Sequence, residues 1–403
     1  MNYGRRGKLM SITNGECARL VWKFIKCLAV SAGALALFAM GVTRAAGAPQ
    51  LLGQLEDSGG RFVSYSADGK RILTADKITA RIWDAHSLKP LTPPINHGAS
   101  IKSTMWIAND SRIATVGGNE VRIWDAGNGK LAGRIAQDME VGPAAISPDG
   151  RWALTARGAQ GAALWDTAAA KRVRLFEDPT LFWAGFSNDG TQLMTYSLKN
   201  PKYWGGFLHL REVKTGRDLI PPQTINCEGS SSSVAAVSPD GKRIVIGEAK
   251  RFSVYQIDGF KKISRQQGDG VLSLDAGYTD MVFFTPDGTR VIWVCDVCVQ
   301  IFSADTGEPI RDAMNVMVVG REEIDVSHGN TFLLIGGLKK NAGVWDVASG
   351  KRLQTFGEKT SHCVALSPDG KFAAIGSRYR PKEEAGYTEI WKLDPDALPK
   401  SGK

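Results

Sequence analysis

The chain has 403 residues, 45 of them glycine, and a formal charge of +9. That length allows a large core or several small domains, and the glycine content suits a turn-rich β protein better than a helical one. Residues 1–48 carry +6 of the charge and the rest of the chain only +3, so the body gives no general reason to expect a nucleic-acid partner.

The first segment, residues 1–48, reads as an export signal. A cationic stretch precedes the apolar run CLAVSAGALALFAMGV, Cys27 to Val42, and small residues follow in TRAAGAPQ. The run has 16 residues, short of the roughly 20 a membrane span needs. Cleavage after Ala48 fits the small-residue pattern Ala46-Gly47-Ala48, although it would place Pro49 first. Thr43-Arg44-Ala45 offers a second cut. An uncleaved membrane anchor is the other reading. In each case the body is expected outside the cytoplasm, periplasmic or secreted if the segment is cut and held at the inner membrane if it is not.

From Leu51 onward one outline recurs. SADG starts at Ser66, ANDS at Ala108, SPDG at Ser147, Ser238 and Ser367, SNDG at Ser187, TPDG at Thr285 and a degenerate SHGN at Ser327. The steps between starts are 42, 39, 40, 51, 47, 42 and 40 residues. Eight units at that period mark a repeat architecture. Each unit has an apolar run, the tight turn, a second run, a variable hairpin, a third run ending in an aromatic, a second turn and a fourth run. In the Pro-Asp-Gly turn proline presets φ, aspartate bonds back to the backbone and glycine accepts the left-handed conformation. Four short strands joined this way make an antiparallel sheet.

Such a sheet has two apolar faces and cannot stand alone. A radial arrangement buries each face on a neighbour. The aromatic at the end of the third run suits the gap between sheets. It is Trp83, Trp124, Trp165, Trp345 and Trp391, and the matching places in units four to six hold Arg211, Tyr255 and Phe302. The eighth unit stops after its third run, TEIWKL, Thr388 to Leu393. The missing strand is expected from QLLGQL, Gln50 to Leu55, so that the two ends of the chain share one sheet and leave no open edge. A seven-bladed ring is the alternative.

These repeats, with Trp-Asp pairs at Trp83-Asp84, Trp124-Asp125, Trp165-Asp166 and Trp345-Asp346, resemble the WD40 family of β-propellers over roughly Leu51 to Leu393, and the looser bacterial, exported members of it. The resemblance implies an all-β, eight-bladed propeller of four-stranded antiparallel blades over residues 49–396, followed by a short polar tail at 397–403. It also implies a hydrogen-bond network joining a His ahead of the first strand to a Ser or Thr and the Trp. Only His97, eleven residues before Ala108, occupies that place. Most blades are therefore expected to depend on packing.

No residue set points to catalysis or to a cofactor. Cys295 and Cys298 form a lone C-x-x-C across an expected two-residue turn. Zinc would need a second pair nearby, and a thioredoxin-type site would need a helix N-terminus. A small hairpin disulfide is the reading outside the cytoplasm. Cys227 and Cys363 fall in other units. The histidines, His86, His97, His209, His328 and His362, lack metal-ligand spacing, and no nucleophile elbow, P-loop or dinucleotide fingerprint appears. Asp149, Asp189, Asp240, Asp287 and Asp369 recur as turn-formers.

The variable loops carry the remaining signal. SLKNPKYWGGF in unit four supplies Lys199, Lys202, Tyr203 and Trp204, and SRYRPKEEAGY in unit eight supplies Arg378, Tyr379 and Arg380. Aromatic residues and Arg on irregular loops are raw material for interfaces. Units four and eight lie opposite each other in an eight-membered ring, so only a broad partner can touch both. The expected function is a non-enzymatic exported platform for protein partners, monomeric, with no cofactor, no metal and no nucleic acid. A lactonase-like or quinoprotein-like propeller enzyme and a glycan- or small-ligand-binding propeller are the alternatives.

Overall fold

In the computed structural model the repeats fold into eight antiparallel sheets. The described residues are 48–398 except 57, 138–143, 158–159, 179–180, 188, 201–202, 226–234, 249–250, 267–278, 296–297, 311–313, 315–323, 328–330, 337–341, 357–360 and 378–385. The proposed leader and the tail beyond 398 lie outside them.

Blade 1 contains strands Phe62–Tyr65, Arg71–Ala75, Thr79–Asp84 and Ile95–Asn96, hydrogen-bonded in chain order. Blade 2 repeats the plan with Ile101–Ile107, Arg112–Gly117, Glu120–Asp125 and Leu131–Ala136. Blades 3, 4, 5 and 7 follow it, starting at Ala144, Leu181, Ala235 and Ile324. Blade 6 has three continuous strands, Thr279–Phe284, Arg290–Cys295 and Cys298–Ser303. Among the described residues its fourth position holds single bridges at Phe302↔Pro309 and Val299↔Met314. First strands of neighbouring blades touch one another, which places them at the hub and the fourth strands at the rim.

Blade 8 is built from both ends of the chain. Ser361–Leu366, Phe372–Ser377 and Thr388–Lys392 are completed by Gln50–Leu55, which runs antiparallel to the third of these from Gln50↔Lys392 to Leu55↔Thr388. The eighth blade and the closing strand thus stand as the repeats imply, and the seven-bladed alternative falls. The seam is tied further by Ser58 Oγ donating to Thr388 Oγ1 at 3.0 Å and by the Gly59 amide donating to the Gly386 carbonyl at 2.9 Å.

The recurring turn works as its composition suggests. In Ser147–Gly150 the serine hydroxyl donates to Asp149 at 2.5 Å, and Asp149 accepts the Arg151 amide at 3.0 Å. Gly150 sits at φ +72°, the left-handed region that glycine enters without a Cβ clash. The same hydroxyl–carboxylate pair recurs at Ser66/Asp68, Ser187/Asp189, Ser238/Asp240, Thr285/Asp287 and Ser367/Asp369. The aspartates are therefore turn-formers, which accounts for their repetition.

The aromatic of each third strand faces the preceding blade. Trp124 packs with Leu73 and Ile82 of blade 1, Trp345 with Ile292 and Ile301 of blade 6, and Trp83 with Leu55 and Ala374 of blade 8. Phe302 joins Val245 and Phe252 of blade 5, and the Arg211 guanidinium lies 4.7 Å from the Phe176 ring of blade 3. The core is a chain of eight inter-blade clusters. A Trp→Ala change in one of them is expected to cost about 3–5 kcal/mol.

Candidate functional site

The joints between blades contain more polar chemistry than His97 alone suggested. In blade 2 the Trp124 indole N–H donates to Thr115 Oγ1 at 2.9 Å, and Thr115 lies 2.7 Å from His97 Nδ1. His97 Nε2 lies 3.0 Å from the Gly117 carbonyl oxygen, which can only accept. Nε2 therefore carries the proton, Nδ1 accepts from the threonine, and the chain runs Trp to Thr to His to backbone. Burial holds the His97 pKa below its ordinary value and keeps the ring neutral.

Blade 3 builds the same relay with an amide. Trp165 donates to Thr155, Thr155 donates to Gln137 Oε1 at 2.9 Å, and Gln137 Nε2 donates to the Ala156 carbonyl at 3.0 Å. Blade 4 builds it with charge. Arg211 stands in the tryptophan place and donates from both terminal nitrogens to Asp178, at 2.6 and 2.7 Å. Thr195 donates to Asp178 at 2.7 Å and accepts from Arg211 at 2.8 Å. Burial raises the Asp178 pKa, but the Arg211 contacts outweigh it and hold the carboxyl below its usual range. His209 and Asp218 flank the pair, 3.1 Å apart through Nδ1 and Oδ1. In blade 1 Trp83 donates to Thr74 at 2.8 Å.

In blades 5 to 8 the register puts Ile246, Trp293, Ile335 and Ile375 where the threonines stand, all buried. The His-based network stands in blade 2, where it was expected, and blades 3 and 4 build related relays on Gln137 and Asp178; among the described residues of blades 5 to 8 no such relay is found. Gln137 and Asp178 escaped notice because they differ in type from His. Their spacing was the available signal, since His97, Gln137 and Asp178 precede the tight-turn starts by 11, 10 and 9 residues.

These relays also locate the loops. His97 and Gln137 leave the fourth strand of one blade for the first strand of the next, and they bond to backbone at or beside the second-strand hairpins. Inter-blade loops and hairpins therefore share one face, and the Pro-Asp-Gly turns occupy the other. On the loop face Glu120 accepts from Arg122 at 2.6 Å and from Arg134. The Arg134 bond, with help from Arg122, overcomes burial and draws the Glu120 pKa down to about 2.

Blade 4 departs from the other hairpins. Blades 2, 5 and 6 close at Gly117↔Glu120, Glu248↔Arg251 and Cys295↔Cys298, all at the level of Ser197. In blade 4 the ladder continues through Leu198↔Gly206 to Asn200↔Tyr203, between strands Gln192–Asn200 and Tyr203–Glu212. Three further residues of strand extend it by about 10 Å. The irregular loop expected here is in part strand ladder, with a register shift between Leu198 and Asn200, because the ladder needs only backbone groups, and it carries Lys199, Tyr203 and Trp204 on its strands. Lys202 lies outside the described residues, as do the side chains of Lys199, Tyr203 and Trp204. Arg378, Tyr379 and Arg380 of blade 8 lie outside them too.

Cys298 is buried and disulfide-bonded, and its partner across the ladder is Cys295. Cys363 is a buried thiol that donates to the Gly60 carbonyl at 3.2 Å, while Cys227 and His328 lie outside the described residues. Among the described residues no group of three His, Cys, Asp or Glu side chains is placed to hold a metal ion.

No protein-family model matches the sequence, nor does any curated protein sequence. Among solved structures the chain is similar to the C-terminal WD40 domain of Sif2, with a TM-score of 0.66 at 11% identity. The match covers 87% of this chain and 99% of that domain. At that identity the likeness concerns architecture, and together with the eight closed blades it establishes that this chain has the fold of a WD40 β-propeller.

Proposed function

We propose that this propeller is an exported, non-enzymatic platform that binds protein partners on its loop face. The observation that carries the reading is the blade 4 hairpin, which continues three residues beyond the level where the hairpins of blades 2, 5 and 6 turn back. A ladder-bonded extension on a closed ring is a preformed contact element, and a preformed surface loses little freedom on binding. The segment from Gly190 to Arg211 holds no carboxylate and contains Lys199, Lys202, Tyr203 and Trp204, residue types suited to an interface anchor. The disulfide at Cys298 supports an oxidising compartment.

The test is affinity capture from a cell-envelope extract. It compares the wild type with a variant in which residues 198–206 are replaced by Asn-Gly, so that Ser197↔Phe207 becomes the closing rung of a two-residue turn. Thermal unfolding of the two proteins should agree within a few degrees. The trimmed protein should recover its partners at least tenfold less well. Equal recovery of every captured protein by both would sink the assignment to this hairpin.

A further inference from the structure

We propose that the outer edge of blade 8 is a dimerisation surface, on which the closing strand Gln50–Leu55 pairs antiparallel with the same strand of a second copy of this chain. The inference concerns the rim and is independent of the loop-face reading above. It replaces the monomer that the sequence suggested.

Each four-stranded blade ends at the rim in a strand with a ladder on one side only. The row of N–H and C=O groups on the other side can take up a further strand. In a two-fold pairing a strand meets its own sequence, so a charge on it faces the same charge. Among the described residues this excludes most of the rim. The blade 3 strand Lys171–Phe176 carries Lys171, Arg172 and Arg174, and the blade 5 strand Lys261–Gln266 carries Lys261, Lys262 and Arg265. The blade 7 strand Arg352–Thr355 carries Arg352. In the blade 2 strand Leu131–Ala136, Arg134 is tied to Glu120, and a second copy would have to strip water from that pair. Ile95–Asn96 of blade 1 and Gln223–Ile225 of blade 4 have two and three residues, short of the roughly five or six of an ordinary strand. Blade 6 holds single bridges at this place.

Gln50–Leu55 is six residues long and uncharged. Gln50, Leu51, Leu52 and Gln54 are exposed, Leu51 at 43% and Leu52 at 42%. Its bulge at Leu52 does not set it apart, because the rim strands of blades 2, 3, 5 and 7 shift register at the matching place. Pairing would take two leucines per copy out of water. The amides of Gln50 and Gln54 can donate and accept, so they need no counter-charge.

The charges beside the strand fit the same arrangement. Lys392 stands opposite Gln50 on the ladder, Glu56 follows Leu55, and both are exposed. Antiparallel pairing sets the Gln50 end of one copy against the Leu55 end of the other. Lys392 then lies two strand spacings, about 10 Å, from Glu56 of the second copy. Unlike charges approach at both ends. The two loop faces point in opposite directions, which leaves each blade 4 hairpin free. The contact is one strand wide, so its dissociation constant should be about 1–100 µM.

The experiment measures the mass of the full chain by light scattering after size exclusion, from about 1 to 100 µM. The expected result is a monomer–dimer equilibrium. Leu51→Lys with Leu52→Lys should raise the dissociation constant about tenfold or more, as should Leu51→Glu with Leu52→Glu. An equimolar mixture of the Lys and Glu chains should restore the dimer. Val173→Lys on the blade 3 rim should leave it intact. Without any variant, amide exchange of Gln50–Leu55 should slow as the wild-type concentration rises. A wild type that is monomeric at about 100 µM, assemblies larger than two, or a dimer that survives the Lys pair would each overturn the proposal. So would a Lys/Glu mixture that stays monomeric, or exchange that ignores concentration.

Discussion

The tip of Leu88 lies 2.8 Å from the point where a Cβ on Gly53 would stand. Leu88 belongs to a turn of blade 1 and sits at φ +58°, a left-handed conformation that a leucine adopts only under constraint. Gly53 is the residue at which the closing strand shifts its register against Thr388–Lys392. The leucine therefore presses on the closing strand where that strand bends, and holds blade 1 to blade 8. Gly53→Val should cost about 1–3 kcal/mol through overpacking. The cost should shrink in a Leu88→Ala background, because the crowding atom is gone. Urea unfolding of the four proteins of this cycle measures the coupling, and additive costs would exclude the contact.

Deleting residues 46–55 should remove the fourth strand of blade 8 and bare the edge of Thr388–Lys392. An open edge pairs with other chains. Light scattering should therefore show self-association, and the melting temperature should fall. An unchanged melt and a monomeric protein would contradict the closing role of Gln50–Leu55.

Asp178→Ala should be among the costliest single changes, about 3 kcal/mol, because it leaves the buried Arg211 with only the half-exposed Asp218 as counter-charge. The double change Asp178→His with Arg211→Trp transplants the blade 2 relay onto Thr195. It should recover most of that loss, as read by denaturant midpoint. Loss equal to that of Asp178→Ala alone would show that blade 4 cannot accept the neutral relay.

Glu120 is held at a pKa of about 2, against 4.5 when unconstrained. A carboxylate lowered in the folded state adds stability above its unfolded pKa and loses it as pH falls through the folded value. The Glu120 contribution should thus be present above about pH 4.5 and fade toward pH 2. Glu120→Gln should lower stability at neutral pH and flatten the acid limb over that window. Melting temperatures from pH 2 to 7 decide it.

Peptide mapping without reductant should find Cys298 linked to Cys295, its partner across the hairpin ladder. Cys363, a thiol at 1% exposure, should react with an alkylating reagent only after unfolding. Rapid alkylation of Cys298 in the native protein would refute the disulfide.

The ring was legible because its turns are written in residue types that backbone geometry demands. Ser147-Pro148-Asp149-Gly150 announces a turn wherever it stands, and its repetition counts the blades. The closing strand was legible because TEIWKL lacked a partner. The relays were not, because a hydrogen-bond chain is defined by atoms and directions. Gln137 offers an oxygen and an N–H with the spacing of an imidazole, and Asp178 offers two oxygens to a guanidinium. The blade 4 hairpin was hidden for another reason: its Pro, Gly and Asn suggested a loop, while ladder bonds there depend only on the backbone.

Because Gln50–Leu55 is made before the other strands of the ring and Thr388–Lys392 after them, every blade must be synthesised before the circle can shut. A message cut short upstream of Thr388 would yield an open horseshoe with two raw ends.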